Sequence, residues 1–309
     1  MNCLICYKPL IKAEIDFHPK CLKKEFGLKQ IPAIDIDEKE LKKHAREVIE
    51  ANIAITGVQP KLSLWLEEKN KSLRFTIVDH KSNFIIKPPS EVYPSLPENE
   101  DLCMHLAAEL DIKTAKHSLI RLPSNRLAYI TKRFDRVKNG KLASEDLCQL
   151  TETLTEHKYR GSYENTGRTI RQYSSQSGID ALKYFELVLF NYIIGNSDMH
   201  LKNFSLLEDI YGGFTLSPAY DLISTLLVIK NESEQMCLTI NGKKNKIERS
   251  DFDFLAKNLS LNEKQRDHIY EKFLAKKDNI NWWIQNSFLP ENQKIKLQDI
   301  VDKRIEICS

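Results

Sequence analysis

Residues 191–207, "NYIIGNSDMHLKNFSLL", join two apolar runs through a short cluster of polar residues. The cluster contains Asp198, His200, Lys202 and Asn203. An unpaired charge is costly to bury, so these side chains need partners beside a segment whose composition is typical of a protein core. The chemical nature of those partners therefore bears directly on the function of the chain.

The residues around this segment predict a largely helical region. Residues 179–194 are apolar on almost every face, which is typical of a buried helix. Residues 203–207 and 212–222 have the pattern of two strands joined by a turn. Residues 248–306 are mostly amphipathic and predict further helices. Residues 156–178 are polar and rich in Gly and Ser, which predicts a long loop.

The preceding part of the chain has the character of a sheet with one helix. Residues 53–90 and 117–136 alternate between apolar and polar positions, as strands do, and residues 98–112 have helical spacing. We therefore expect an α+β fold with two lobes, a small β-rich one built on an antiparallel sheet and a mainly helical one. The predicted domains are a Cys/His extension at 1–28, an N-lobe at 29–140 and a C-lobe at 141–309.

The composition of the chain is that of a globular protein with a hydrophobic core. The chain has 309 residues, of which 41% are hydrophobic and 29% charged, as in globular proteins with a sizeable core. The net charge of +3 gives little support to direct nucleic-acid binding. The sequence has no signal-peptide pattern and no apolar stretch long enough for a membrane span, which predicts a cytoplasmic protein. Its seven cysteines are then expected to be thiols or metal ligands.

Three oxygen-bearing side chains have the spacing of a phosphoryl-transfer site. Asp198 and Asn203 are separated by four residues, and Asp221 follows near the end of the predicted hairpin. Phosphoryl transfer needs a carboxylate that accepts the proton of the attacking hydroxyl, and oxygen ligands for Mg²⁺. The spacing matches the protein-kinase catalytic loop and its later metal-binding Asp. The alternative is a capped helix end followed by a solvated turn.

A lysine upstream has the position of a phosphate-holding residue. Lys87 ends an apolar strand, and Glu98 or Glu100 in the next helix is placed to pair with it. The alternative is a solvent-exposed lysine on an edge strand. Gly57 and Lys61 lie in a stretch able to cover phosphates, although it has fewer glycines than the usual Gly-rich loop.

Together these residues resemble HipA-type serine/threonine kinases, the toxins of bacterial toxin–antitoxin systems. The resemblance extends from about residue 52 to 230 and rests on seven motifs in the same order. They are "GVQPK" (57–61), "FIIKPP" (84–89), "ENEDLCMHLAAEL" (98–110), "KRFDR" (132–136), "DLCQL" (146–150), "GNSDMHLKNFSLL" (195–207) and "LSPAYDLIS" (216–224). It implies a two-lobed, protein-kinase-like fold. The chain is shorter than the long HipA form and more closely resembles the short HipT branch.

The resemblance also implies roles for individual residues. Asp198 corresponds to the catalytic base, Asn203 and Asp221 to the Mg²⁺ ligands, and Lys87 to the phosphate-holding lysine. The other residues implied in ATP binding are Thr56, Gly57, Val58, Gln59, Pro60 and Lys61 of the phosphate loop, Lys132, Arg133 and Phe134 of the hinge, and His200, Lys202 and Tyr220 around the catalytic loop.

One position departs from the family pattern. HipA-type kinases carry a serine in or just before the phosphate loop, and its phosphorylation ejects the loop and switches the kinase off. The corresponding stretch here, residues 52–58, has Ala54 where that serine is expected. Either the protein regulates itself through Thr56 or Ser63, or the alanine is an introduced substitution that blocks the modification.

The first residues of the chain have the spacing of a metal site. Cys3, Cys6, His18 and Cys21 form two close pairs separated by a loop, which is compatible with a tetrahedral, structural Zn²⁺ site. The alternative is a set of reduced thiols on a terminal extension.

The resemblance implies a MgATP-dependent protein kinase that phosphorylates an aminoacyl-tRNA synthetase and thereby arrests translation and growth. It also implies a DNA-binding antitoxin as a partner, a small HipS-like third protein, and contact with nucleic acid only through the antitoxin. Two other functions remain open. One is a small-molecule phosphotransferase of the aminoglycoside or choline kinase type, and the other is an ATP-binding module of a repressor complex.

Overall fold

The structure, a computed structural model, describes residues 1–30, 32–34, 43, 61–69, 72–78, 82–138, 140–229 and 232–308. Two units make up the chain. The first comprises Met1–Leu102, Ala115–Phe134 and Asn286–Leu289, and the second comprises Cys103–Thr114, Asp135–Gln285 and Pro290–Ser309. The chain therefore crosses between the units several times, at 102–103, 114–115, 134–135, 285–286 and 289–290. The N-terminal Cys/His segment belongs to the first unit.

A mainly antiparallel sheet forms the first unit. Its described strands are β1 (Ala33–Ile34), β2 (Leu62–Lys69), β3 (Ser72–Ile77), β4 (Phe84–Lys87), β5 (His117–Arg121) and β6 (Leu127–Lys132). They lie in the order β1-β3-β2-β4-β6-β5. The β1–β3 pair is parallel and the other pairs are antiparallel. The predicted β-rich sheet is therefore present.

One face of this sheet holds the core of the first unit. Side chains alternate between the two faces of a strand, and those on one face are buried: Leu62 and Leu64 of β2, Phe84 and Ile86 of β4. Helix α1 (Pro19–Phe26) places Leu22 and Phe26 in the same cluster. The Phe26 ring centroid lies 5.8 Å from that of Phe84. The N-terminal residues are thus part of this core.

Helix α2 (Leu96–Glu109) follows β4 and confirms the helix expected over 98–112, with a start two residues earlier. Its first turns belong to the first unit. Glu100 and Asp101 are buried there, at 2% and 0% exposure. Since buried acids need compensating partners, this helix carries polar groups that the fold has to satisfy.

The second unit is mostly helical. Its helices are α3 (Leu147–Leu150), α4 (Tyr163–Tyr173), α5 (Ser177–Ile194), α6 (Thr225–Val228), α7 (Arg249–Asn258), α8 (Glu263–Ala275), α9 (Lys277–Asn286) and α10 (Glu291–Cys308). Helix α5 confirms the predicted buried helix, because all its residues from 184 to 194 are buried. It ends at Gly195, whose φ of 76° lies in the left-handed region that favours glycine. The chain there turns into the polar cluster of residues 196–203.

Short strands lie both before and after the polar cluster in the chain. The strands of this unit are β7 (Arg136–Val137) and β8 (Gly140–Lys141), which form a hairpin, and β9 (Ser144–Asp146), β10 (Ser205–Glu208) and β11 (Phe214–Leu216). β10 is the middle strand of an antiparallel sheet with β9 and β11 on either side. The hairpin predicted after the polar cluster is confirmed by the β10–β11 pair.

The prediction of a long loop over residues 156–178 is wrong. This segment contains a 3₁₀ turn at Thr155–His157 and the whole of helix α4. The Ser162 side chain caps α4 by accepting a hydrogen bond from the Asn165 backbone N–H. Its buried face is made of Tyr163, Glu164, Thr166, Gly167 and Ile170. Because most of these are polar or small, the sequence lacks the apolar stripe by which such a helix is recognised.

Across the described residues, none of the helices combines the length and apolar character that crossing a membrane requires.

Candidate active site

A buried ion pair joins the end of strand β4 to helix α2 in the first unit. The Lys87 Nζ lies 2.6 Å from Glu100 Oε1. Both side chains are almost inaccessible to solvent, with 8% and 2% exposure. The Nζ also lies 5.5 Å from the centroid of the Tyr129 ring. Of the two glutamates considered from the sequence, Glu100 makes this contact. Such a pair fixes the lysine amine in one position.

The predicted hinge, Lys132 to Phe134, lies at the end of β6. The Lys132 N–H donates to Lys116 O at 2.8 Å, and the Arg133 N–H donates to Asn83 O at 3.0 Å. These two amide groups are therefore engaged within the protein. A contact from the backbone of this segment to adenine, as the resemblance implies, would have to use other backbone atoms.

The predicted phosphate loop lies mostly outside the described residues. This applies to Thr56, Gly57, Val58, Gln59 and Pro60, and also to Ala54. Lys61 is described, and it is exposed directly before β2.

A compact turn in the second unit brings Asp198 and Asn203 together. The backbone carbonyl of Asp198 accepts hydrogen bonds from His200 N–H, at 2.8 Å, and from Asn203 Nδ2, at 3.1 Å. The Asp198 N–H in turn donates to Asn196 Oδ1 at 3.0 Å. Residues 201–203 form a 3₁₀ turn that completes the reversal. The four-residue spacing noted in the sequence is thus the spacing of this turn.

The Asp198 carboxyl group has an unusual electrostatic environment. Burial raises its pKa, whereas a hydrogen bond from the Tyr159 hydroxyl and the charge of Lys158 lower it. The charges of Asp221 and Glu232 raise it again. A carboxylate whose proton affinity is increased by burial and neighbouring acids is suited to accept a proton from an acceptor hydroxyl.

Lys158 and Tyr159 were not identified from the sequence. Lys158 is buried, and its Nζ lies 4.9 Å from the centroid of the Tyr159 ring. Its backbone carbonyl accepts from the Leu201 N–H at 3.2 Å, which ties this segment to the turn that contains Asp198 and Asn203. The local sequence signal was only the mixture of charged and aromatic residues in 156–178.

His200 is a buried and neutral side chain in the same turn. Burial and the charge of Lys158 lower the pKa of His200 to about 4. Its ring lies edge-on to Tyr159, with centroids 5.1 Å apart. Within the described part of the chain, its Nδ1 atom is buried without a hydrogen-bond partner. A buried polar atom of this kind fits a site that receives a polar ligand.

Asp221 follows strand β11 and has a strained backbone. Its φ of 55° is in the left-handed region, where most residues with a Cβ atom are strained by about 1–3 kcal/mol but Asp and Asn less so. The preceding residue, Tyr220, is tied to the turn of Asp198 and Asn203, because its hydroxyl lies 2.9 Å from Lys202 O and 2.6 Å from Ser205 Oγ. The charge of Asp221 is also one of the causes that raise the pKa of Asp198.

The donor set of this turn fits a magnesium ion. The Asn203 amide nitrogen is used by the Asp198 carbonyl, which leaves the amide oxygen as its ligand atom. Together with the Asp221 carboxylate it would supply the hard oxygen ligands that Mg²⁺ prefers. The amine of Lys202, a predicted ATP-binding residue, contacts other side chains of the second unit: its Nζ lies 3.8 Å from Asp146 Oδ2 and 3.5 Å from Thr155 Oγ1.

Comparison with known proteins identifies the family. The profile of the HipA-like C-terminal domain matches residues 53–280, which is most of the chain. The chain belongs to this family. The resemblance inferred from the seven motifs is therefore confirmed.

Individual relatives agree with this assignment. The chain is 32% identical over 192 residues to "Putative kinase Y4dM" of Sinorhizobium fredii, covering 58% of this chain and 46% of that protein. It is 28% identical over 217 residues to the serine/threonine-protein kinase toxin HipA of Shewanella oneidensis, covering 62% and 47%. The chain thus spans about half the length of these two relatives.

A solved structure confirms the fold class. HipA of Shewanella oneidensis, in its complex with HipB and operator DNA, superimposes with a TM-score of 0.67 at 21% sequence identity. The match covers 83% of this chain and 64% of that chain. The predicted α+β, protein-kinase-like fold of the HipA type is therefore correct.

The N-terminal Cys/His cluster precedes the part matched by the HipA-like domain. Cys3, Cys6, His18 and Cys21 are brought together, with one ligand atom from each lying within 4.8 Å of the others. Burial and a hydrogen bond to Cys6 raise the pKa of Cys21 to about 12. Burial also raises the pKa of Cys6. In the absence of a cation these two thiols stay protonated at neutral pH.

Proposed function

We propose that this HipA-family protein is a serine/threonine kinase that transfers the γ-phosphoryl group of ATP to a protein hydroxyl. The observation that carries the proposal is the turn in which Asp198 and Asn203 are held together. The Tyr220 hydroxyl, one residue before Asp221, donates to Lys202 O of the same turn. Within the first unit, the buried Lys87–Glu100 pair holds a cation of the kind that phosphate binding requires, and the family resemblance assigns that role to Lys87.

The chain's own residues account for the chemistry. The acceptor oxygen attacks the γ-phosphorus, its proton passes to the Asp198 carboxylate, and the bond to the leaving ADP oxygen breaks. Lys87, positioned by Glu100, neutralises charge on the nucleotide phosphates. Asn203 and Asp221 would hold Mg²⁺, which when bound neutralises and orients the phosphates.

The proposed partners and substrate are drawn from the family resemblance. HipA of Shewanella oneidensis is bound to HipB and operator DNA, and we propose a DNA-binding antitoxin as the partner here. We also propose an aminoacyl-tRNA synthetase as the phosphorylated protein, with arrest of translation and growth as the result, and a small HipS-like protein of the HipT branch as a third component. A cytoplasmic location accords with the seven free cysteines.

The test is transfer from radiolabelled ATP to proteins of a bacterial lysate, followed by mass spectrometry of the labelled sites. Phosphoserine or phosphothreonine on a protein is expected. Label that appears on aminoglycosides or choline instead would favour a small-molecule phosphotransferase. ATP binding without any transfer would favour an ATP-binding module of a repressor complex.

Tyr159→Phe should shift the pH dependence of transfer. Asp198 must be ionised to accept a proton, so activity is lost as pH falls through its pKa. The Tyr159 hydroxyl lowers that pKa, and removing it should move the acid limb of kcat to higher pH by about one unit. The measurement is kcat against pH for the wild type and the Tyr159→Phe variant. Tyr173→Phe is the matched control, because Tyr173 is exposed at the end of α4. An acid limb at the same pH in all three proteins would contradict this role.

Ala54→Ser should create an autophosphorylated form of the protein. Ala54 occupies the position where HipA-type kinases carry the regulatory serine, and a hydroxyl there would serve as an acceptor in cis. We expect the mass of the intact variant to increase by one phosphate after incubation with MgATP. Thr56→Ala in the same background tests whether the threonine is the modified residue. An unchanged mass of Ala54→Ser would argue against regulation at this position.

A further inference from the structure

The first 21 residues contain a turn that is built around two sulfur atoms. The Cys3 N–H donates to Lys8 O, and the Tyr7 N–H donates to Cys3 O, both at 2.9 Å. Tyr7 has a φ of 58°, and the Lys8 backbone N–H forms a hydrogen bond to the Cys6 thiol group. The His18 N–H points at Cys3 Sγ, 3.4 Å away. One backbone amide is thus directed at each of the two sulfurs, Cys3 Sγ and Cys6 Sγ.

His18 is oriented by its second ring nitrogen. Its Nε2 lies 3.0 Å from the carbonyl of Pro9, an acceptor, so Nε2 carries the proton. Nδ1 is then the lone-pair nitrogen, and it lies 3.3 Å from Cys6 Sγ and 3.7 Å from Cys21 Sγ. In a tetrahedral zinc site with ordinary bond lengths, a sulfur and a nitrogen ligand lie about 3.6 Å apart. The two measured separations lie on either side of that value.

We propose that Cys3, Cys6, His18 and Cys21 bind one Zn²⁺ ion, and that this site holds the helix carrying Glu100 through Tyr7. Four protein ligands leave no open coordination position, so the role is structural. Zinc is preferred because thiolate and imidazole ligands in a tetrahedral arrangement suit it better than hard cations. The functional importance of holding this helix rests on the proposed function, in which Glu100 positions Lys87.

The link to helix α2 lies within the first unit and is buried. The Tyr7 hydroxyl donates to Asp101 Oδ2 at 2.7 Å, and both side chains have 0% exposure. Asp101 Oδ1 lies 2.8 Å from His117 Nδ1 on β5. The same strand contacts the metal-binding turn again, because Ser118 Oγ donates to Leu4 O at 3.2 Å. Because Asp101 is the direct neighbour of Glu100, the Tyr7–Asp101 hydrogen bond also restrains Glu100. Loss of the metal would loosen the turn that contains Tyr7 and thereby weaken this restraint.

The metal site is tested on the full chain by metal analysis and by Co²⁺ substitution. We expect about one Zn²⁺ per chain, and visible absorption typical of tetrahedral, thiolate-bound Co²⁺ after exchange. Cys6→Ser and Cys21→Ser should lose the metal, whereas Cys308→Ser, which changes a buried cysteine of the second unit, should retain it. A wild-type chain with almost no zinc and no thiolate–Co²⁺ absorption would overturn the site.

The link to α2 is tested by hydrogen exchange, which requires no kinase activity. Chelating the metal from the wild-type chain should accelerate exchange of the amides in residues 96–102. Tyr7→Phe should retain zinc and accelerate the same amides about tenfold, as expected for the loss of one buried hydrogen bond. Tyr211→Phe, at an exposed turn, is the control. Unchanged exchange over 96–102 after both treatments would overturn the link, whether or not the protein transfers phosphate.

Discussion

Asp198→Asn is expected to lower the rate of phosphoryl transfer by about a thousandfold, the scale of a lost general base. The substitution replaces a carboxylate by an amide of nearly the same shape. The bonds that build the turn use the backbone of Asp198 rather than its side chain, so the fold should persist. The measurement is single-turnover transfer from ATP to the protein substrate, with circular dichroism to confirm folding.

The matched control is Asp299→Asn. Asp299 is an exposed residue on helix α10 in the same unit, and its replacement changes the net charge by the same amount. Its transfer rate should equal that of the wild type. Transfer by Asp198→Asn at a rate within a few-fold of the control would remove Asp198 from the catalytic role.

Lys87→Met is expected to have the largest combined effect on stability and activity. It removes the cation that neutralises phosphate charge, and it leaves Glu100 buried without its partner. Breaking a buried ion pair from one side destabilises a protein by about 3–5 kcal/mol. Denaturant unfolding measures the loss of stability, and ATP-dependent transfer should fall to background.

A double-mutant cycle isolates the pair. Glu100→Gln alone should also be destabilising, but the double variant Lys87→Met, Glu100→Gln should be more stable than the sum of the single effects predicts. Lys116→Met is the control, because Lys116 forms a solvent-exposed pair with Glu25, at 3.7 Å, that should contribute less than about 1 kcal/mol. Additive effects in the cycle would show that the two side chains act independently.

Local patterns predicted the parts of the fold that local interactions determine. The spacing of Asp198 and Asn203 is that of one turn, and the alternation of residues 203–222 corresponds to the β10–β11 hairpin. The buried helix α5 was evident because its apolar residues surround the axis. In each case the chemistry of neighbouring residues is sufficient to specify the structure.

Other features depend on packing between distant segments. The choice of Glu100 over Glu98 depends on how α2 is rotated against the sheet, which the sequence of the helix does not specify. Tyr159 and Lys158 reach Asp198 only through the tertiary fold. Helix α4 is not predicted from the sequence because its buried residues, such as Thr166 and Gly167, are small rather than hydrophobic. They allow close packing: a Cβ atom on Gly167 would lie 2.2 Å from Leu259 Cδ2.

The left-handed backbone at Asp221 limits which substitutions can remove its carboxylate without changing the local structure. Asparagine adopts that conformation readily, whereas alanine and β-branched residues do so only with strain. Asp221→Asn therefore removes the charge and keeps the backbone shape. Under the proposed function, cells should tolerate this inactive variant at high levels, and it would serve as bait for isolating the proposed protein substrate.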